Sequence, residues 1–102
     1  EDLDEWTDVL SPSLGRGRPN PTGEGVIWPL RLQDRKPARV RVIRPDGRCI
    51  RDLGSRTCPG AASSVVWDGR DDRGRRVPAG KYFLTVDSSG GQRLTDSVII
   101  VR

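Results

Sequence analysis

The sequence predicts an all-β fold, an antiparallel β-sandwich of about seven strands with an N-terminal extension, and three observations carry that reading. Its 102 residues have room for one core. Its 12 glycines and 8 prolines fall in clusters between short apolar runs, the punctuation of many short strands and not of helices. Most of those runs alternate apolar and polar residues, the period of a half-buried strand. Apolar residues make up 33% of the chain with one Phe and one Tyr, so the buried centre must rest on Val, Ile, Leu and three Trp.

Taken in order, residues 1–25 read as an acidic segment followed by a Gly/Pro-rich linker, and residues 26–102 as the sandwich. In the first ten residues Leu3, Trp6 and Leu10 have near-helical spacing, while Trp6, Asp8 and Leu10 also fit a strand, so the conformation stays open. Residues 11–25 show no apolar period and read as extended linker. From Val26 the period is two, with Val26, Trp28, Leu30 and Leu32 on one face and Ile27, Pro29, Arg31 and Gln33 on the other. Pro29 cannot donate to a ladder, which favours an edge position or a bulge. Residues 38–42 alternate with Arg39 and Arg41 outward, Pro45-Asp46-Gly47 makes a turn, and residues 48–53 return as a hairpin. Residues 64–67 run into a polar loop, 68–74, and Val77 leads through Pro78-Ala79-Gly80 into a strand at 81–87. Tyr82, Leu84 and Val86 share one face of that strand, Phe83 and Thr85 the other. The turn at 88–91 leads to a last strand, 94–101, whose end Val98-Ile99-Ile100-Val101 is apolar on both faces and is expected to be covered on both.

One resemblance rests on four stretches in order: Pro19-Asn20-Pro21, Pro45-Asp46-Gly47-Arg48, Val66-Trp67-Asp68-Gly69-Arg70-Asp71-Asp72-Arg73-Gly74, and Val77-Pro78-Ala79-Gly80-Lys81-Tyr82-Phe83. Over residues 19–102 the chain resembles the immunoglobulin-like domain of flagellar hook-capping proteins and the related C-terminal modules of bacterial secreted proteins, type IX secretion sorting domains included. The most specific part is Trp67, Asp68, Gly69, Asp71, Asp72 and Gly74 with Gly80 and Tyr82 following. The resemblance implies an immunoglobulin-like sandwich in which this motif holds the fold together and is not catalytic. The residue types suit that role on their own chemistry. Trp67 can plug the open end of the sandwich, Asp68 and Asp71 can cap backbone N–H groups of a tight loop, and Gly69 and Gly74 can take conformations that a side chain opposes. Residues 1–18 and the two cysteines lie outside the family's pattern.

The chain has no His to move protons near neutral pH and no recognisable nucleophile beside a base, so it is expected to be no enzyme and to need no cofactor. Asp68, Asp71 and Asp72 crowd one loop with oxygens suited to Ca²⁺ but miss the EF-hand spacing, so loop capping and Arg pairing are expected and no metal is assigned. The 18 bases number two Lys and 16 Arg, yet the arginines alternate outward along strands with no interleaved aromatic platform. That pattern favours a solvated or protein-facing surface over nucleic acid. No run approaches the ~18 apolar residues of a membrane span. Cys49 and Cys58, nine positions apart, flank a loop that can bring them face to face. A disulfide is expected there, implying an oxidising compartment, against the alternative of two reduced, half-buried thiols. A start at Glu1 and the lack of Met imply a translation start removed by processing or by excision from a longer protein.

Charge is uneven: residues 1–10 hold five acids and no base, and residues 11–102 hold 18 bases and nine acids, so −5 faces +9. These features lead to a secreted, extracellular or cell-surface structural protein that assembles into a filament or surface layer with copies of itself, or contacts a cell-surface protein. Leu3, Trp6, Val9 and Leu10 would be the apolar anchors, and Ile27, Phe83, Ile99 and Val101 the receiving surface. The alternative is a C-terminal sorting or anchoring module of a larger secreted bacterial protein, or a hook-cap-like assembly domain.

Overall fold

The computed structural model describes residues 13–31, 37–56, 63–88 and 91–102. Its strands are β1 (Ser13–Leu14), β2 (Val26–Arg31), β3 (Ala38–Ile43), β4 (Cys49–Arg56), β5 (Ser63–Trp67), β6 (Gly80–Ser88) and β7 (Arg93–Ile100). They form two sheets, β1-β2-β5 and β4-β3-β6-β7, in which every pairing is antiparallel, and no helix occurs among the described residues. The expected all-β sandwich is therefore what forms. Alternation sends Val26, Trp28 and Leu30 of β2 and Val65 and Trp67 of β5 inward, to meet Val40, Val42, Leu84, Val86, Val98 and Ile100 of the larger sheet. Trp28 and Trp67 are the largest side chains that lose all contact with solvent, so two of the three tryptophans fill the space that few Leu and Phe leave.

One turn chemistry recurs. At 44–48, 71–75 and 88–92 the first residue's N–H donates to the carbonyl four positions on, and its carbonyl accepts from the N–H of a glycine three positions on. Those glycines, Gly47, Gly74 and Gly91, all have φ between 82° and 90°, the left-handed conformation in which a side chain is strained. In β4 two register shifts against β3 leave Leu53 and Ile50 as extra residues, and both turn partly inward against the core. The bulges bend this edge strand away from a flat ladder.

Residues 13–25 do not form the free linker that their Gly/Pro content suggests. They are laid along the sandwich. Gly15 N–H donates to the Pro29 carbonyl at 2.8 Å, Arg18 and Ile27 exchange both backbone hydrogen bonds at 2.9 Å, and Thr22 pairs in parallel with Ile100. The segment thus starts on the edge of the small sheet and ends on the edge of the large one. Its glycines are small because the sheet is close: a Cβ at Gly15 would lie 2.4 Å from Pro29 Cγ, and at Gly17 2.5 Å from Trp28 Nε1. The peptide bonds before Pro19 and Pro21 are cis. Pro29 sits neither on an edge nor at a bulge in the β2–β5 register, where it lies opposite Ser64. It is tolerated because β2 has only the two-residue β1 on its other side, and the pairing there lapses between Gly15 and Arg18.

The last strand differs from expectation on its outer side. Val98 and Ile100 are buried, but Ile99 is 40% and Val101 46% exposed. Only the backbone at Ile99 is covered, where Asn20 Oδ1 accepts its N–H at 2.9 Å and Thr22 N–H donates to its carbonyl at 2.9 Å. On the inner side Asp96 takes the register position between Leu94 and Val98, and its Oδ2 accepts from Trp28 Nε1 at 2.8 Å and Gly17 N–H at 3.0 Å. One carboxylate thereby ties the large sheet, the small sheet and the N-terminal segment together. Gly17→Ala should therefore destabilise the chain by about 1–3 kcal/mol, because the methyl group overpacks against the Trp28 indole. Urea unfolding measures this; an unchanged midpoint would show that residues 13–25 are not docked as described.

Candidate functional site

The loop after β5 carries the Trp67 motif, and its geometry starts from a buried donor. The Trp67 indole is fully buried at one end of the sandwich, and its N–H must find an acceptor. It donates to the Arg70 carbonyl at 2.9 Å, which curls the chain back as soon as β5 ends. Asp68 Oδ1 accepts the Arg70 N–H at 3.0 Å inside that curl. Gly69, buried with φ 76°, faces the Glu24 carbonyl, 2.2 Å from where a Cβ would stand, so the loop closes directly on the N-terminal segment. Val77 N–H to Gly69 O at 3.0 Å and the Arg70–Arg76 bridge make the rest a miniature hairpin with Gly74 at its turn. Asp71 Oδ1 accepts both the Arg73 and the Arg75 N–H at 2.9 Å, and the Arg75 N–H first, with Arg73 behind it, holds this carboxyl below its ordinary value of 3.8.

Asp72 reaches across to the edge of the other sheet. Its N–H donates to the Ile50 carbonyl at 2.9 Å, and its Oδ1 accepts the Asp52 N–H at 3.0 Å. Arg51 Nη1 secures the same crossing, donating to the Asp71 carbonyl at 3.1 Å, the Arg70 carbonyl at 3.3 Å and Asp68 Oδ1 at 3.4 Å. From β6, which Gly80 opens, Tyr82 packs edge-on to Trp67 with ring centroids 5.6 Å apart. Its hydroxyl donates to the Pro78 carbonyl at 2.7 Å, and burial pushes its pKa up. Arg102 closes the far side, donating to the Val77 carbonyl at 2.7 Å and the Gly23 carbonyl at 2.7 Å.

The structure thus brings Trp67, Asp68, Gly69, Asp71, Asp72, Gly74 and Tyr82 into one clamp. Each of the three carboxylates is turned to a different set of backbone N–H groups, and among the described residues no three His, Cys, Asp or Glu side chains converge to hold a metal ion. What the arrangement can do chemically is hold a loop rigid and cap the β4 edge. Sequence reasoning missed Arg51, Asp96 and Arg102. Asp96 left a signal, as a charge in the inward register of an otherwise apolar strand; nothing local distinguishes Arg51 or Arg102 from the other arginines.

The other candidate residues are not gathered. Ile27 lies on the outer face of the small sheet, while Phe83 and Ile99 lie on the outer face of the large one, Phe83 half-covered by Lys81 Nζ at 5.4 Å from its ring, and Val101 follows β7. Leu3, Trp6, Val9 and Leu10 lie outside the described residues. Among the described residues Cys49 is exposed, its thiol donating to the Arg51 carbonyl at 3.6 Å; Cys58 lies outside the described residues, and with it the expected bridge.

Two expectations follow. Trp67→Ala should cost about 3–5 kcal/mol in chemical denaturation, through the cavity and the freed loop, and a wild-type melting temperature would overturn the clamp. Because Asp71 is lowered in the fold, the stability it contributes is complete above 3.8 and is lost as pH falls through the lower folded value. The stability gap between wild type and Asp71→Asn should shrink on acidification, and a gap that does not change with pH would show that the carboxylate charge is irrelevant.

No family model matches the sequence, and no curated protein matches it. Solved structures do. One is PorZ of Porphyromonas gingivalis, described as an essential bacterial surface component of the type IX secretion system, at a TM-score of 0.59 and 20% identity over 94% of this chain. Another is dimeric latent PorU from Porphyromonas gingivalis, at a TM-score of 0.61 and 19% identity over 89% of this chain. The chain spans 12% of the PorZ chain and 10% of the PorU chain. At that identity the likeness is one of fold: this β-sandwich has its counterpart in one part of each of two much longer proteins.

Proposed function

We propose that the chain is a non-catalytic, immunoglobulin-like module of a larger bacterial protein exported to the cell surface, and that it sorts or anchors that protein by binding a surface partner. The observation that carries this reading is the pairing of coverages: nearly all of this chain matches about an eighth of PorZ, a surface component of a secretion system. The site chemistry supports it, since the motif's polar groups are engaged in holding a loop. The edges also support it. The β4 edge is bulged and capped by Asp72, and the end of β7 is covered by Asn20 and Thr22. Among the described residues β5 stands at the end of its sheet order.

The filament reading has less support, because its receivers Ile27, Phe83 and Ile99 lie on opposite faces of the sandwich. Attaching the chain to a reporter carrying an export signal, in a bacterium with a type IX secretion system, tests the proposal. Surface display of the reporter is expected, with loss when Trp67→Ala unfolds the module. A reporter that stays behind with the folded chain attached would overturn it. The isolated chain should remain monomeric in light scattering at high concentration, and filaments there would favour assembly instead.

A further inference from the structure

The two outer faces of the sandwich differ in how their charges are paired. On the large sheet Arg39 pairs with Asp52, and Arg41 and Arg93 both pair with Asp87. On the small sheet the outward, exposed positions of β2 and β5 are Ile27, Pro29, Arg31, Ser64 and Val66, with no acid among them. Ile27 and Val66 stand opposite each other in the register and are 52% and 54% exposed. On the other side of Ile27 lies exposed Arg18, joined to it by two backbone hydrogen bonds. Arg16 and Arg18 border a shallow depression that includes Ile27 and Pro29. Among the described residues neither Arg16, Arg18 nor Arg31 has an ion-pair partner.

We propose that this face docks a peptide segment of the surface partner that is both acidic and apolar. Charge complementarity selects the occupant: three guanidiniums without acids of their own draw carboxylates, and the aliphatic strip between them is dried by apolar side chains. β2 already has β5 on one side and the 13–18 segment on the other, so the contact is made through side chains and not by an added strand. Outward positions on one strand are about 6.6 Å apart, so Ile27 to Arg31 spans about 13 Å. An extended occupant of about five residues therefore reaches from Arg18 beside Ile27 to Arg31, with its carboxylates at the ends and apolar side chains over Ile27, Pro29 and Val66. A nucleic acid suits the face less, because the large apolar side chains exposed on the described residues are aliphatic and give a base no ring to stack on. The inference deepens the surface-module proposal and rests on it for the existence of a partner.

Titrating the full, isotope-labelled chain with a synthetic eight-residue peptide in which Glu and Leu alternate tests this by NMR. The backbone amides of Arg16, Arg18, Ile27, Arg31 and Val66 should shift, and added salt should weaken the binding. The same peptide with Gln in place of Glu, or the variant Arg16→Glu with Arg18→Glu and Arg31→Glu, should bind about tenfold more weakly. Arg39→Glu on the large sheet should bind as the wild type does, and circular dichroism should show both variants folded, because every altered side chain is exposed. No shifts at millimolar peptide, shifts centred on the large sheet, or equal loss in Arg39→Glu would each overturn the proposal. So would tighter binding of a single-stranded oligonucleotide of equal charge, or shifts that follow the chain's own concentration, which would give the face to a nucleic acid or to a second copy. Peptide binding without display of the reporter would fault the sorting reading alone, and display without peptide binding would fault this face alone.

Discussion

The structure depends most on how one buried donor is satisfied. Trp67 fills the end of the sandwich, and a buried N–H without an acceptor costs about 1–3 kcal/mol. Its acceptor is a carbonyl only three residues on, so the chain must curl at once after β5. That curl presses Gly69 against Glu24, points Asp72 at β4 and starts the miniature hairpin that ends at Val77. The loop and the capped edge follow from that single bond, with Asp68 and Asp71 accepting loop N–H groups at Arg70, Arg73 and Arg75 and Asp72 accepting the Asp52 N–H of β4.

A small two-sheet sandwich has four sheet edges and a thin core, and this chain manages both with polar groups placed at joins. Asp96 receives donors from β2 and from the N-terminal segment, and Arg51 and Arg102 donate to carbonyls that no strand partner reaches. Arg51 and Asp96 are half-buried and multiply bonded, the condition under which a charge at a core margin is tolerated, and Arg102 makes its several bonds from the surface. The same economy explains the glycines before β2. They let a non-regular backbone approach the sheet closely enough to share its hydrogen bonds.

The asymmetry of the two outer faces follows from how the acids are distributed. Asp52 and Asp87 sit on the large sheet, where Arg93 first and then Arg41 hold the Asp87 carboxyl below its ordinary value. The small sheet has apolar and basic groups facing outward, with exposed Ile27, Val66, Arg18 and Arg31 among them. A surface that pairs its own charges is finished by the fold, whereas one that does not calls for something outside it.

The sequence by itself determined the strands from Val26 onward and the core residues they carry, because period-two alternation and the turn glycines are local properties written in consecutive residues. Thus Val26, Trp28 and Leu30, the 44–48 turn and the Tyr82, Leu84 and Val86 face were legible in advance. Tertiary structure decided whatever depends on two segments far apart in the chain. It placed residues 13–25 against β2 and β7, because close approach and flexibility require the same residue, glycine, and composition cannot tell them apart. It also gave Arg51, Asp96 and Arg102 their acceptors and donors and left Ile99 and Val101 exposed, since a side chain's partners across a sandwich are set by which strands become neighbours.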